Sequence, residues 1–144
     1  MERILFVEDD DTGRELSAYN LTAAGYEVDT AEDGKQALRL FSIDKHQLVV
    51  TDLRMPEKSG MEVLAHIKRV APEVPVVVIT AHGTIEIAVE AMRVGAYDFL
   101  EKPFSREELL IVVNRALERH RLAAENRSLR VKATGVERPI VAVS

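Results

Sequence analysis

Three short runs of uninterrupted hydrophobic residues constrain this chain more than any other feature. They are residues 4–7 (ILFV), 48–50 (LVV) and 76–79 (VVVI), each rich in β-branched side chains and bounded by polar or turn-forming residues. Continuous rather than alternating hydrophobicity indicates strands buried on both faces, which means a parallel sheet covered by helices. Two further segments do alternate. Tyr26, Val28 and Thr30 interleave with Glu27 and Asp29, and Tyr97 and Phe99 bracket Asp98. Half-exposed strands belong at sheet edges, so the second and fifth strands are read as edges and the first, third and fourth as central.

The segments between the strands have helical period and readable ends. Thr12-x-x-Glu15, Ser59-x-x-Glu62 and Ser105-x-x-Glu108 are capping-box patterns, in which side chains satisfy the orphan N–H groups of a helix start. Gly25 and Gly95 are the stops of the first and fourth helices, and Pro72 of the third. Ile85, Ala88, Val89 and Met92 give the fourth helix an apolar stripe expected to face inward. The predicted fold class is α/β: a flavodoxin-like (βα)5 doubly wound parallel sheet with right-handed crossovers, strand order 2-1-3-4-5.

From Ser105 to Arg130 there is neither Pro nor Gly, so an extended C-terminal helix is expected to overrun the domain. Two seams compete along it: Leu110, Val113, Leu117, His120 and Ala124, or Leu109, Val113, Ala116, His120 and Ala123. Together they make a weak coiled-coil signal, set against a solvated helical tail. The expected organisation is a domain over residues 1–120, a linker helix and candidate coiled coil over 121–132, and a flexible linker or the start of a truncated output domain over 133–144.

Charge and composition narrow the function classes. Residues 1–113 hold 12 Lys and Arg against 21 Asp and Glu, whereas residues 114–144 hold 7 against 3. An acidic body disfavours contact with nucleic-acid phosphates, which require a basic footprint. The basic tail lacks interleaved aromatics and a recognisable recognition helix, so it reads as a solvated face, with no direct nucleic-acid binding by this chain. The absence of cysteine excludes disulfides, thiolate catalysis and Cys-ligated metal centres. No apolar run approaches the roughly 20 residues of a membrane span, and Met1 leads into a charged strand rather than a signal peptide, so the expected setting is cytoplasmic, without a membrane partner.

In an open parallel sheet, ligands bind beyond the carboxyl ends of the strands. Glu8, Asp9, Asp10 and Asp11 close the first strand, Asp52 the third and Thr80 the fourth, while Lys102 and Pro103 lie just past the fifth. Carboxylates converging from adjacent strand ends repel unless a cation balances them, and an all-oxygen set points to Mg²⁺ rather than zinc. Lys102 adds positive charge and Thr80 a hydroxyl donor, a combination suited to a phosphoryl group. A carboxylate in that setting is itself a candidate nucleophile, forming an acyl phosphate. Each element alone has a bland reading: Asp at a helix N-cap, a role Asp10 and Asp11 suit, a turn Asp, a strand-terminal Thr, a Lys-Pro loop. The functional case rests on their conjunction.

That conjunction resembles a known family. Phe6-Val7-Glu8-Asp9-Asp10, Thr51-Asp52-Leu53-Arg54-Met55-Pro56 with Gly60, Ile79-Thr80-Ala81, and Phe99-Leu100-Glu101-Lys102-Pro103-Phe104 look like the receiver domain of two-component response regulators, over about residues 2–120. The resemblance implies a module that takes a phosphoryl group from a sensor histidine kinase onto Asp52. It also implies Mg²⁺ held by Glu8, Asp9, Asp52 and the Arg54 backbone carbonyl, with Thr80, the Ala81 N–H and Lys102 on the phosphoryl oxygens. Glu8 stands where Asp is commonest in the family. The four-acid run admits Asp9 and Asp10 as the metal pair instead; Glu8 and Asp9 are preferred because Arg14, Glu15 and Leu16 then fall where the family's first helix places them. Arg54 and His82 occupy positions that flank the pocket and tune its lifetime in this family. Thr80 and Phe99 stand at the positions of its aromatic switch, which biases the surface of the fourth helix, fifth strand and fifth helix. The Lys102-Pro103 bond is a candidate for the cis form, the minority state of any X–Pro bond.

A finer likeness joins Thr80-Ala81-His82-Gly83-Thr84, Ala88-Val89-Glu90-Ala91-Met92 and residues 95–104 to receivers of the nitrogen-regulatory-protein-C type. Those precede a sigma-54-activating ATPase domain and a DNA-binding domain, and Glu125-Asn126-Arg127-Ser128-Leu129-Arg130 looks like their linker. This sequence has no GxxxxGK[ST] phosphate loop, so it is read as a phosphoacceptor switch and not an enzyme in its own right. The expected unit is a receiver plus linker from a longer transcriptional regulator, with a homodimer as its assembly. Two alternatives compete. A pseudo-receiver would have lost an acid, the Thr or the Lys, all of which are present; a stand-alone aspartyl-phosphate phosphohydrolase would need a second Asp where Arg54 stands.

Overall fold

Strands and helices alternate along the chain: β1 (Arg3–Val7), α1 (Asp11–Ala23), β2 (Glu27–Ala31), α2 (Gly34–Leu40), β3 (Leu48–Asp52), α3 (Gly60–Val70), β4 (Val76–Thr80), α4 (Ile85–Val94), β5 (Asp98–Glu101) and α5 (Arg106–Val136). The computed structural model describes residues 2–54, 59–81 and 85–136, with side chains of α5 described through 125. The sheet order is β2-β1-β3-β4-β5 and every pairing is parallel. This is the flavodoxin-like arrangement that the hydrophobic runs predict, with the alternating segments at the two edges.

Successive residues of the central strands serve opposite sides of the sheet. Leu5, Val7, Val49, Val76 and Val78 join Val63, Leu64 and Ile67 of α3 and Ala91 of α4. Ile4, Phe6, Val50, Val77 and Ile79 join Leu21 of α1 and a row on α5. Two cores on one sheet fix the register from both faces, since a one-residue slip would exchange every side chain between them.

The helix ends follow the sequence with one correction. Ser59 with Glu62 makes a reciprocal capping box, and Ser105 with Glu108 makes the same pair of bonds. The pattern at Thr12 does not cap α1. Asp10 does so, accepting from the Gly13 N–H at 2.7 Å, because the helix begins before Thr12 and leaves that residue inside its first turn. Gly25 (φ 105°) and Gly95 (φ 123°) take the left-handed conformation that ends α1 and α4.

Two further expectations are corrected. The inward face of α4 centres on the buried Ala88 and Ala91, flanked by the half-buried Ile87 and Val94, while Ile85, Val89 and Met92 point into solvent. The helix carries two apolar faces at helical spacing, and the one with small residues allows α4 to lie close against the sheet. In β2, Thr30 is exposed and Asp29 half-buried, the reverse of the alternation. Asp29 is drawn inward by His46 Nε2 at 2.8 Å and Arg3 Nη1 at 2.9 Å. Of the seam residues on α5, Leu109, Val113, Ala116 and Leu117 are buried against the sheet. Arg121 then clasps both carboxylate oxygens of Glu2 at 2.8 Å. The helix continues through Val136, past residue 132 where the sequence suggests a flexible linker.

Candidate functional site

The strand order brings the carboxyl ends of β1, β3, β4 and β5 to one rim, on either side of the point where the chain reverses direction across the sheet. Backbone bonds prolong the sheet into the loops that carry the polar residues. Glu8 N–H donates to Ala31 O at 3.0 Å, Leu53 N–H to Ile79 O at 3.0 Å and Lys102 N–H to Thr80 O at 2.8 Å. Gly60, at the start of α3, touches the end of β3, and its N–H donates to Leu53 O at 3.1 Å. A Cβ there would overlap the Asp52 carbonyl oxygen and stand 2.6 Å from Leu53 Cα, so only glycine permits this approach.

Lys102 is the hub of the rim. Its Nζ lies 2.7 Å from Asp52 Oδ2 and 3.0 Å from Glu8 Oε1. The Arg54 N–H donates to Asp52 Oδ1 at 3.1 Å, so both oxygens of Asp52 are oriented. Glu8, Asp52 and Thr80 are buried at 3%, 6% and 4% exposure, while Asp9 is open to solvent. Asp9, Asp52, Arg54, Thr80, Ala81 and Lys102 line a cavity of about 190 Å³, which Leu53, Ile79 and Ile87 close with apolar surface.

The electrostatics are those of a site short of positive charge. Burial pushes the Glu8 carboxyl up to about 7, and the Asp52 charge adds to this although the Lys102 hydrogen bond opposes it. Burial also works against the Lys102 ammonium, but its bonds to Asp52 and Glu8 more than offset that and hold it above the ordinary lysine range. Single oxygens of Glu8, Asp9 and Asp52 lie within 4.8 Å of one another. Three hard oxygen donors facing one ammonium fit a hard divalent cation such as Mg²⁺.

Of the residues singled out from the sequence, Glu8, Asp9, Asp52, Arg54, Thr80, Ala81 and Lys102 therefore meet at one place. Asp10, the alternative partner of Asp9, turns away to cap α1. Phe99 is half-buried on β5, packed at the border of the core that α3 and α4 share. The Lys102-Pro103 bond is cis. His82 lies outside the described residues, as do Met55, Pro56, Gly83 and Thr84. Ile87, which reaches the cavity from α4, is invisible to sequence reasoning because nothing distinguishes it from its apolar neighbours. Arg14 is a second omission, noted in the sequence only for its register. Its Nη1 donates to the Glu8 carbonyl at 2.8 Å and its Nη2 pairs with Asp11.

Fold and rim together define a receiver module. The chain belongs to the response regulator receiver domain family, whose pattern residues 4–114 match. Within that family its relatives are transcriptional regulators of the nitrogen-regulatory-protein-C, sigma-54-activator group. It is 44% identical over 129 residues to the C4-dicarboxylate transport transcriptional regulatory protein DctD of Pseudomonas aeruginosa, covering 90% of this chain and 28% of that protein. It is 41% identical over 124 residues to the transcriptional regulatory protein GlrR of Escherichia coli, covering 86% of this chain and 28% of the relative. Among solved structures, the receiver domain of NtrX from Brucella abortus superposes with a TM-score of 0.76 at 44% identity, covering 80% of this chain and 98% of that one. The chain thus spans little more than a quarter of the length of these full regulators. No helix among the described residues is long and apolar enough to cross a membrane.

Proposed function

We propose that this chain is a phosphorylation-activated switch in which Asp52 accepts a phosphoryl group from a sensor histidine kinase in the presence of Mg²⁺. The observation that carries this reading is the sharing of Lys102 between Asp52 and Glu8 beside a cavity that Thr80 also lines. In the transfer, an Asp52 oxygen forms the new O–P bond as the P–N bond of phosphohistidine breaks, and the departing nitrogen keeps the electron pair. Lys102 neutralises charge on the phosphoryl oxygens, while the Thr80 hydroxyl and the Ala81 N–H donate to them. Glu8, Asp9, Asp52 and the Arg54 carbonyl would hold Mg²⁺, whose charge balances the incoming phosphoryl group. Arg54 and His82 would set how readily water reaches the acyl phosphate.

The signal would leave the site through Thr80 and Phe99 and change the surface formed by α4, β5 and α5. The outward-facing Ile85, Val89 and Met92 support this, because an apolar helix face in water suits a partner surface. The readout would be a change of homodimer state that controls ATPase and DNA-binding domains in the full-length cytoplasmic regulator.

The test is labelling with acetyl phosphate. Incorporation is expected with Mg²⁺, and it disappears with a chelator or in Asp52→Asn; persistent labelling of that variant refutes the site. Sedimentation with and without beryllofluoride and Mg²⁺ reads the dimer, and an unchanged mass would remove dimer switching from the proposal.

A further inference from the structure

We infer that Arg14 is a positioning residue that aims the acids of the β1–α1 turn at the cation. This rests on the reading of Glu8, Asp9 and Asp52 as a Mg²⁺ site.

Every polar atom of Glu8 is held. Its N–H donates to Ala31 O, Oε1 meets Lys102, and Oε2 accepts from the Asp10 N–H at 3.2 Å and from Lys102. Among the described residues, the side chain that holds its carbonyl is Arg14, through the 2.8 Å bond from Nη1. Asp9 is the opposite case: its exposed carboxylate has no hydrogen-bond or ion-pair partner among the described residues. The region that carboxylate can reach therefore depends on where its backbone places the Cα–Cβ bond.

The Glu8 carbonyl and the Asp9 nitrogen belong to one rigid peptide plane. Fixing the carbonyl oxygen fixes that plane, and with it the base from which the Asp9 side chain departs. Arg14 suits the task. It stands in the first turn of α1, its side chain is only 15% exposed, and its second nitrogen pairs with Asp11, which favours the orientation that reaches the Glu8 carbonyl. A planar guanidinium serves the two acceptors through two separate nitrogens held in one plane, a geometry that the single nitrogen of an ammonium does not reproduce.

Loss of Arg14 should change Mg²⁺ affinity in the direction opposite to that of simple electrostatics. Arg14 is a cation beside an acidic site, so its removal relieves Coulomb repulsion and on that ground alone strengthens Mg²⁺ binding. If its role is to hold the peptide, removal weakens binding, by roughly ten-fold, as for other groups that orient metal ligands.

Titration calorimetry of the whole chain with MgCl₂ measures this for the parent, Arg14→Gln and Arg14→Lys, with melting temperatures recorded in the absence of metal. The expected result is weaker Mg²⁺ binding in both variants. Arg14→Lys keeps the charge without the planar fork, and it carries the test should Arg14→Gln fail to fold. Binding as tight as the parent's in either folded variant overturns the inference. Absence of Mg²⁺ binding by the parent instead overturns the metal site itself, and the inference with it.

Discussion

Lys102 and Asp52, fifty residues apart in the chain, are joined by a 2.7 Å contact between Nζ and Oδ2, and the same ammonium holds Glu8. One cation thus sits between two buried carboxylates where a divalent ion is proposed to bind. The arrangement makes Lys102 both a stabiliser of the two carboxylates and a competitor of the ion.

Replacing Lys102 by Met therefore separates two properties. Mg²⁺ affinity rises, because a positive charge in direct contact with the ligand oxygens is gone. Labelling by acetyl phosphate falls, by about 10²-fold or more if this ammonium stabilises the transferring group as other preorganised charges do. Calorimetry and a labelling time course check the two arms, and parallel movement of both in one direction would contradict the assigned role. Lys102→Met and Arg14→Gln both delete a nearby cation, yet the expected changes in Mg²⁺ affinity have opposite sign.

Gly60→Ala should damage the fold rather than the chemistry. The added Cβ overlaps the backbone at Asp52 and Leu53, neither of which is a flexible side-chain end that could yield. Overpacking of this kind costs about 1–3 kcal/mol, and urea unfolding of the variant measures it. A midpoint equal to the parent's would show that α3 does not abut β3 as described.

Much of the architecture was legible because its signals are local. The runs at 4–7, 48–50 and 76–79 disclose burial on two faces, and Ser59 and Ser105 announce their helices by chemistry confined to four residues. The rim was legible for a different reason: Glu8, Asp52, Thr80 and Lys102 are polar where strand ends have no packing need for them. What hydropathy does not encode is which of two apolar faces turns inward, and α4 was misassigned for that reason. Nor does it encode contacts made across elements. Asp29 reads as a solvent-facing strand residue until His46 and Arg3 are placed beside it, and the hold of Arg14 on the Glu8 carbonyl appears only once the turn has closed.

The orientation of α4 is itself open to measurement. Ala88 is fully enclosed, so Ala88→Leu forces extra volume between helix and sheet and should lower stability by about 1–3 kcal/mol. Val89 is 48% exposed, and Val89→Ser should stay within about 0.5 kcal/mol of the parent. The inward-stripe alternative would make the Val89 substitution costly, so a paired urea titration decides between the two faces.

Acidification should weaken the fold through His46, and the sign follows from its bonds. The ring is buried, accepts the Ser42 N–H at Nδ1, and so presents Nε2–H to Asp29. A second proton would have to enter at Nδ1, where another donor already points. Burial, only partly opposed by the Asp29 carboxylate, holds the ring below its ordinary value of 6.5. Its contribution to stability is therefore present above about pH 6.5 and is lost as pH falls toward the depressed folded value, because the unfolded state binds the proton more readily. Asp29, whose carboxyl is half-buried yet held below its ordinary range by His46 and Arg3, also loses its contribution in acid, at lower pH. Glu8 runs the other way. Its raised value near 7 makes its contribution largest below its ordinary 4.5 and smaller as pH rises toward 7. Subtraction isolates the histidine: urea midpoints at pH 7.5 and 5.5 are compared between the parent and His46→Gln. The parent should lose more stability than the variant across that interval, and an equal loss in both would show that His46 does not titrate with folding.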